Sequence, residues 1–234
     1  MQASLELASA PPSLRAERYV DRMDFIVEAV ADRRVLDCGV VGETYDVADA
    51  RVEKIVSSLH FRVAATAREA VGIDHAEDVV RELQSRHPHL RLRACDIEDV
   101  ERAVAEWAPF ELVLFGDLVE HLGNPGRALD AVRSVLVPGG ELILTTPNAF
   151  GLPNYLRFVT GRFREGDDHV ASYNKHTLRN LLERHGFVVE RVLTALDRPP
   201  RSRVRRALYR PATWLLRLFP ELGGTLVVVA RRRR

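Results

Sequence analysis

The chain has 234 residues, 46% of them hydrophobic and 29% charged, with a formal net charge of +1. That balance suits one globular domain with a large core and provides no global field to draw in nucleic acid. Cys38 and Cys95, the two cysteines, are too few for a disulfide framework or a cysteine-rich metal centre and point to a reducing cytosol.

Residues 1–12 read as a loose arm ending in Pro11-Pro12. The opening segment lacks the charge order of a signal peptide, and no apolar run reaches the roughly 18 residues of a membrane span. Ser13 is a candidate helix cap, with apolar Leu14, Val20, Met23, Ile26, Val27 and Val30 on one face of a helix through about Asp32. An alternation of strands and helices then sets in. Strands are predicted at 33–38, 70–74, 90–95, 110–116 and 141–146, and helices at 51–68, 76–87, 98–107 and 125–136. A Pro-Gly-Gly turn precedes the fifth strand. A helix at 175–185 and strands at 187–195 and 224–230 bring the total to seven strands. Strands and helices in this order imply an α/β fold, a mostly parallel sheet covered on both faces. Ligands of such sheets bind beyond the carboxyl ends of the strands.

Two stretches interrupt the alternation. Residues 148–174 follow a strand's carboxyl end and are expected to lie over the site as a lid. Residues 197–220 include seven arginines and no acid between Arg198 and Arg217. The apolar residues of this second insertion recur at near-helical spacing around Pro211. That pattern suits a helix packed on the domain with solvated arginines, or contact with an anionic membrane or a lipid-linked acceptor. A single domain thus spans 13–230, and Arg231–Arg234 are expected to form a disordered tail.

The first strand runs into VLDCGVVGET (35–44). A dinucleotide fingerprint needs three glycines, and here Gly39 and Gly42 flank Val41, where a pyrophosphate requires close backbone approach. The phosphate-loop lysine is also missing. A ligand without phosphates relaxes both demands. Asp74 ends the second strand and Asp96 follows the third, on the same sheet edge as Gly39. Asp74 is placed to accept hydrogen bonds from a ribose diol and Asp96 from an adenine amino group. Acids at strand ends also cap the following helices, and that role competes.

These residues resemble the class I S-adenosylmethionine-dependent methyltransferases. VLDCGVVG is similar to the family's first motif, VGID to its acidic second-strand motif and CDIED to its adenine-contacting segment. FELVLFGDLVEHLGNPGRALDAVRSVLVPGGELILTTPN resembles the later motifs. The likeness is greatest to the small-molecule branch with ubiquinone-pathway O-methyltransferases and enzymes of glycan and natural-product pathways. It implies a Rossmann-like, doubly wound sheet with helices on both faces and S-adenosyl-L-methionine as cofactor. It also implies a cytoplasmic enzyme that methylates a small-molecule acceptor, most readily at oxygen. Asp37, Gly39, Gly42, Asp74, His75, Asp96, Ile97, Gly116 and Asp117 would then line the cofactor site. His121 and His169 are the candidate bases, each also suited to a structural role. Asp117, Glu120 and His121 suit either a helical turn or a hard cation, and no metal is assigned. The chain departs from the family at Val41 and Glu43, where further glycines are usual, and Gly42 with the Glu43–Asp46 loop is expected to compensate. The altered loop also fits a non-catalytic cofactor-binding module. A nicotinamide dehydrogenase is disfavoured by the missing glycines.

Overall fold

The computed structural model describes residues 16–42, 59–162, 166–195 and 213–234. The arm at 1–12, the Ser13 cap, residues 51–58 of the second expected helix, the Glu43–Asp46 loop and most of the basic insertion lie outside the described residues.

In chain order, the strands are β1 (Arg34–Cys38), β2 (Glu69–Asp74), β3 (Arg91–Ala94), β4 (Phe110–Gly116), β5 (Leu136–Pro147), β6 (Phe187–Ala195) and β7 (Thr225–Arg232). The helices are α1 (Arg22–Val30), α2 (Leu59–Thr66), α3 (Glu77–Arg86), α4 (Val100–Ala103), α5 (Pro125–Val135), α6 (Leu152–Val159) and α7 (Lys175–Arg184). The strands form one sheet in the order β3-β2-β1-β4-β5-β7-β6. All neighbouring pairs from β3 to β5 are parallel, and β7 is antiparallel to both β5 and β6.

Alternation along the strands divides the core between two faces. Val113 and Phe115 of β4 join Leu142 and Leu144 of β5 against Leu129 and Val132 of α5 and Leu178 and Leu182 of α7. Leu112, Leu114 and Ile143 point the other way, onto Ile26 and Val30 of α1 and Val63 of α2. Side chains set the helix ends. Asp21 accepts from the Met23 and Asp24 N–H groups, at 2.9 and 3.1 Å. Asn124 caps α5 ahead of Pro125 at the first turn. Asn174 and Thr177 form a reciprocal capping box on α7.

Three expectations need correction. Residues 16–20 are not helical. Glu17 N–H donates to Val192 O, and Val20 N–H to Thr194 O, both at 2.8 Å, while Thr194 N–H donates to Arg18 O. This segment covers β6, an edge strand whose backbone groups would otherwise lie open, and the helix begins after the Asp21 cap. The expected helix at 98–107 is a 3-10 turn at Ile97–Asp99 followed by the short α4. The tail is also shorter than expected. Arg231 and Arg232 continue β7, because Arg231 pairs with Glu141 and Glu190 on the flanking strands and bonds Gly139 O at 3.0 Å. The Pro-Gly-Gly turn, with Gly139 at φ 77°, is a bulge within β5.

Candidate active site

At the carboxyl ends of β1, β2 and β4 a cavity of about 410 Å³ opens. Gly39 and Gly42 form its floor loop, both at positive φ (84° and 64°), where glycine carries no steric penalty. A Cβ at Gly39 would stand 3.4 Å from Leu118, so the loop is packed closely as well as turned. Backbone bonds dock it on the end of β2: Gly39 N–H reaches Ile73 O at 2.9 Å and Val40 N–H the same oxygen at 3.3 Å.

Asp74 completes this docking. Its Oδ2 accepts from Val41 N–H at 2.9 Å and its Oδ1 from Ala76 N–H at 3.0 Å, and His75 Nδ1 lies 3.4 Å from Oδ1. Each carboxylate oxygen has a second lone pair, so the buried Asp74 keeps acceptor capacity toward the cavity it borders. Asp96 is exposed and uses Oδ1 to cap the following turn through Glu98 N–H, at 2.9 Å. The capping role weighed from sequence is therefore real, and Asp96 and Ile97 border the cavity as well. Beside them stands Cys95, whose thiol burial pushes up to about 11 and so keeps protonated.

Gly116 and Asp117 form the opposite wall. Asp117 sits at φ 53°, a left-handed conformation that Asp tolerates better than most residues. Its carboxylate pairs with Arg22 of α1 and accepts from Thr145 Oγ1 at 2.8 Å, while its N–H donates to Thr145 O at 3.1 Å. Arg22 carries no motif and comes from 95 residues upstream.

Asp37 does not border the cavity. Its side chain is buried on the α2 face, with Oδ2 3.0 Å from His60 Nδ1. His60 lies across Gly72, where a Cβ would come within 2.6 Å of the imidazole and 2.7 Å of Leu92. Gly72 is the β2 partner of Asp37 and makes room for this pair beneath the loop. Gly72→Ala is expected to lower stability by about 2–3 kcal/mol through overpacking, read as a drop in Tm of roughly 5–10 °C. An unchanged Tm would show that His60 moves aside freely.

Of the two candidate bases, His121 borders the cavity and His169 stands behind it. Their rings meet edge to face with centroids 4.8 Å apart. His121 Nδ1 lies 3.2 Å from Asp168 Oδ2 and 3.4 Å from Asp168 O. Asp168 is a residue that sequence reasoning missed. It lies on the expected lid, whose Val170 and Ala171 N–H groups both donate to Glu120 O, at 2.9 and 3.2 Å.

Glu120 is only 1% exposed, and among the described residues neither carboxylate oxygen is held by a hydrogen bond of normal geometry. Burial, reinforced by the charge of Asp117, raises its pKa from 4.5 to about 7. A carboxyl whose folded pKa lies above its unfolded value contributes stability at low pH. That contribution is lost as pH rises from about 4.5 through 7, because the unfolded chain ionises first. The loss amounts to about 3 kcal/mol. Glu120→Gln removes the titration, so its Tm relative to wild type should rise between pH 5 and pH 8; parallel profiles would contradict the assignment. One donor atom from each of Glu120, His121 and His169 falls within 4.8 Å of the others.

The cavity wall has a one-sided charge. Asp74, Asp96, Glu98, Asp117 and Asp168 border it, and among the described residues no lysine or arginine does. Such a wall offers nothing to a phosphate. It suits a cationic ligand that also donates hydrogen bonds, and its volume falls in the usual range of about 300–1,000 Å³ for small-ligand sites.

Comparison with known proteins agrees. The profile of a family described as a methyltransferase domain matches residues 15–192. A probable S-adenosylmethionine-dependent methyltransferase of Mycolicibacterium smegmatis is 28% identical over 188 residues, covering 78% of this chain and 64% of that protein. The mitochondrial ubiquinone biosynthesis O-methyltransferase of Homo sapiens is 27% identical over 145 residues, covering 55% of this chain and 38% of that protein. The chain thus spans less than two thirds of the length of these relatives. Among solved structures, magnesium protoporphyrin IX methyltransferase from Synechocystis PCC 6803 with bound SAH superimposes with a TM-score of 0.58. It is 15% identical, and the match covers 90% of this chain and 81% of that one, a likeness of fold.

Proposed function

The chain belongs to the class I S-adenosylmethionine-dependent methyltransferase family, and from that premise we propose that it transfers a methyl group to an oxygen of a small-molecule acceptor, with His121 as the base. The observation that carries this reading is the acid-lined cavity, bordered among the described residues by no lysine or arginine. S-adenosylmethionine has a sulfonium, a ribose diol and an adenine amino group, and it has no phosphate.

The residues present fit that ligand. Gly39 and Gly42 give close backbone approach, Asp74 receives the ribose hydroxyls, and Asp96 receives the adenine amino group while still capping its turn. His75 and Ile97 flank the adenosine. When bound, the donor supplies a methyl group already activated on sulfur. The protein's task is then to align the acceptor, exclude water and remove the acceptor's proton. If Nδ1–H of His121 donates to Asp168, Nε2 is the unprotonated nitrogen that takes this proton. The acids lining the cavity favour a cationic donor over the neutral product, which assists exchange of product for donor.

Calorimetric titration with S-adenosylmethionine should show one-site binding, with no detectable heat from NAD under the same conditions. Incubation with a panel of catechols and phenols should then release S-adenosylhomocysteine. Failure to bind the donor would overturn the proposal, and binding without turnover on any hydroxyl acceptor would reduce it to a cofactor-binding module.

A further inference from the structure

Helix α6 is amphipathic in the wrong direction for a soluble domain. At 100° per residue, Phe158, Tyr155, Val159 and Leu156 fall within an arc of about 160°, with Asn154 and Arg157 on the other side. In a core helix that apolar arc faces inward. Here all four apolar residues are more than half exposed, Phe158 at 69%, and no residue of the helix is buried. Phe150, just before the helix, is 75% exposed.

A second outward apolar group lies close by. Residues 213–218 are helical and lead through Phe219 into the Pro220–Leu222 turn. Trp214 is 63% exposed, and Leu218 and Phe219 are each 55% exposed. The chain after this turn touches the start of α6. A Cβ on Gly151 would stand 2.5 Å from Gly223 O, and Gly224 packs on Pro153. Both groups also leave the sheet at one edge, since Pro147 at the end of β5 pairs with Thr225 at the start of β7. This is the carboxyl edge at which the cavity opens.

Charge identifies the occupant. In sequence, 148–164 carry Arg157, Arg162 and Arg164 and 198–219 carry seven arginines, with acids resuming at Glu165 and Glu221; Arg157, Arg162 and Arg217 are the ones that fall among the described residues. Arg157, Arg162 and Arg217 are exposed beside the apolar residues. Aromatic side chains beside exposed arginines complement an anionic bilayer, where rings sit at the headgroup boundary and guanidinium groups meet phosphate.

We propose that α6 and the 213–219 segment together form a docking face for an anionic lipid surface. This inference does not depend on the methyltransferase reading, because it is tested by binding alone.

The full chain is sedimented with vesicles of phosphatidylcholine, with and without phosphatidylglycerol. The expected result is pelleting with the anionic vesicles, weakened by added salt, and a blue shift of Trp214 emission. Phe158→Asp should reduce the bound fraction by about tenfold or more, and Tyr155→Ser less. Both positions are exposed, and an unchanged circular dichroism spectrum and Tm would verify folding. Three results would overturn the proposal: no pelleting with either vesicle, Phe158→Asp binding like wild type, or a dimer in sedimentation equilibrium that Phe158→Asp dissolves. The last would assign the face to a second copy of the chain.

Discussion

His121→Ala should lower kcat by about 10²- to 10⁴-fold, the usual contribution of a positioned general base, and change S-adenosylmethionine affinity by no more than about twofold. The separation follows from geometry. His121 borders the cavity beside Leu118 and Leu122, whereas the loop contacts proposed for the donor come from Gly39, Gly42 and Asp74. Asp168→Asn should have a smaller effect, because the carboxylate is 44% exposed and water can replace part of its role. The same variant provides a check on mechanism. If Asp168 orients His121 by accepting from Nδ1, glutamate at 168 should recover part of the rate that asparagine loses. Measurement requires an acceptor that turns over, with initial rates at saturating donor. Wild-type kcat in His121→Ala would remove the base assignment and leave the ring as packing for His169.

Asp74→Ala should weaken S-adenosylmethionine binding by about 100-fold, measured by titration calorimetry. Two charge-assisted hydrogen bonds to a ribose diol are worth about 1.5–3 kcal/mol each, partly offset by water in the variant. A second loss adds to the first. Asp74 also accepts from Val41 and Ala76, so its removal frees the backbone of the loop that forms the cavity floor. Asp74→Asn distinguishes the two contributions poorly, because an amide offers one acceptor oxygen to two N–H donors. A better control is Asp96→Ala. Its capping bond lies outside the loop, so its effect on affinity reports the adenine contact with little disturbance of the floor. If Asp74→Ala binds the donor like wild type, the carboxylate serves the loop alone and the ribose must be held elsewhere.

The fold was legible in sequence because its signals are local and repeated. Alternating residues such as Leu112, Val113, Leu114 and Phe115 face two different cores, so their strand reads as a continuous apolar run. The start of α1 was misread because both Ser13 and Asp21 are good caps. Only the open edge of β6 determines that 16–20 stay extended. Gly39, Asp74 and Asp96 were found because strand ends in a doubly wound sheet share one edge, and all three border the cavity. Asp37 looked equivalent in the same strand, yet strand alternation turns it to the opposite face, where His60 meets it. Asp168 and Arg22 carried no signal. One reaches His121 through the path of the lid, the other reaches Asp117 from the first turn of α1, and neither path can be read from spacing.

The antiparallel β7 sets a constraint on synthesis. The five strands from β3 to β5 can pair as they leave the ribosome, since each neighbour precedes or closely follows the next. β6 has no neighbour in the sheet until residues 225–232 have been made, because β7 lies between it and β5. Until then the β5 edge and the β7-facing edge of β6 expose unpaired backbone, the kind of surface on which nascent chains aggregate. The strand made last is therefore the one that seals the sheet, and changes near Thr225–Ala230 should impair yield in cells more than their burial alone would suggest.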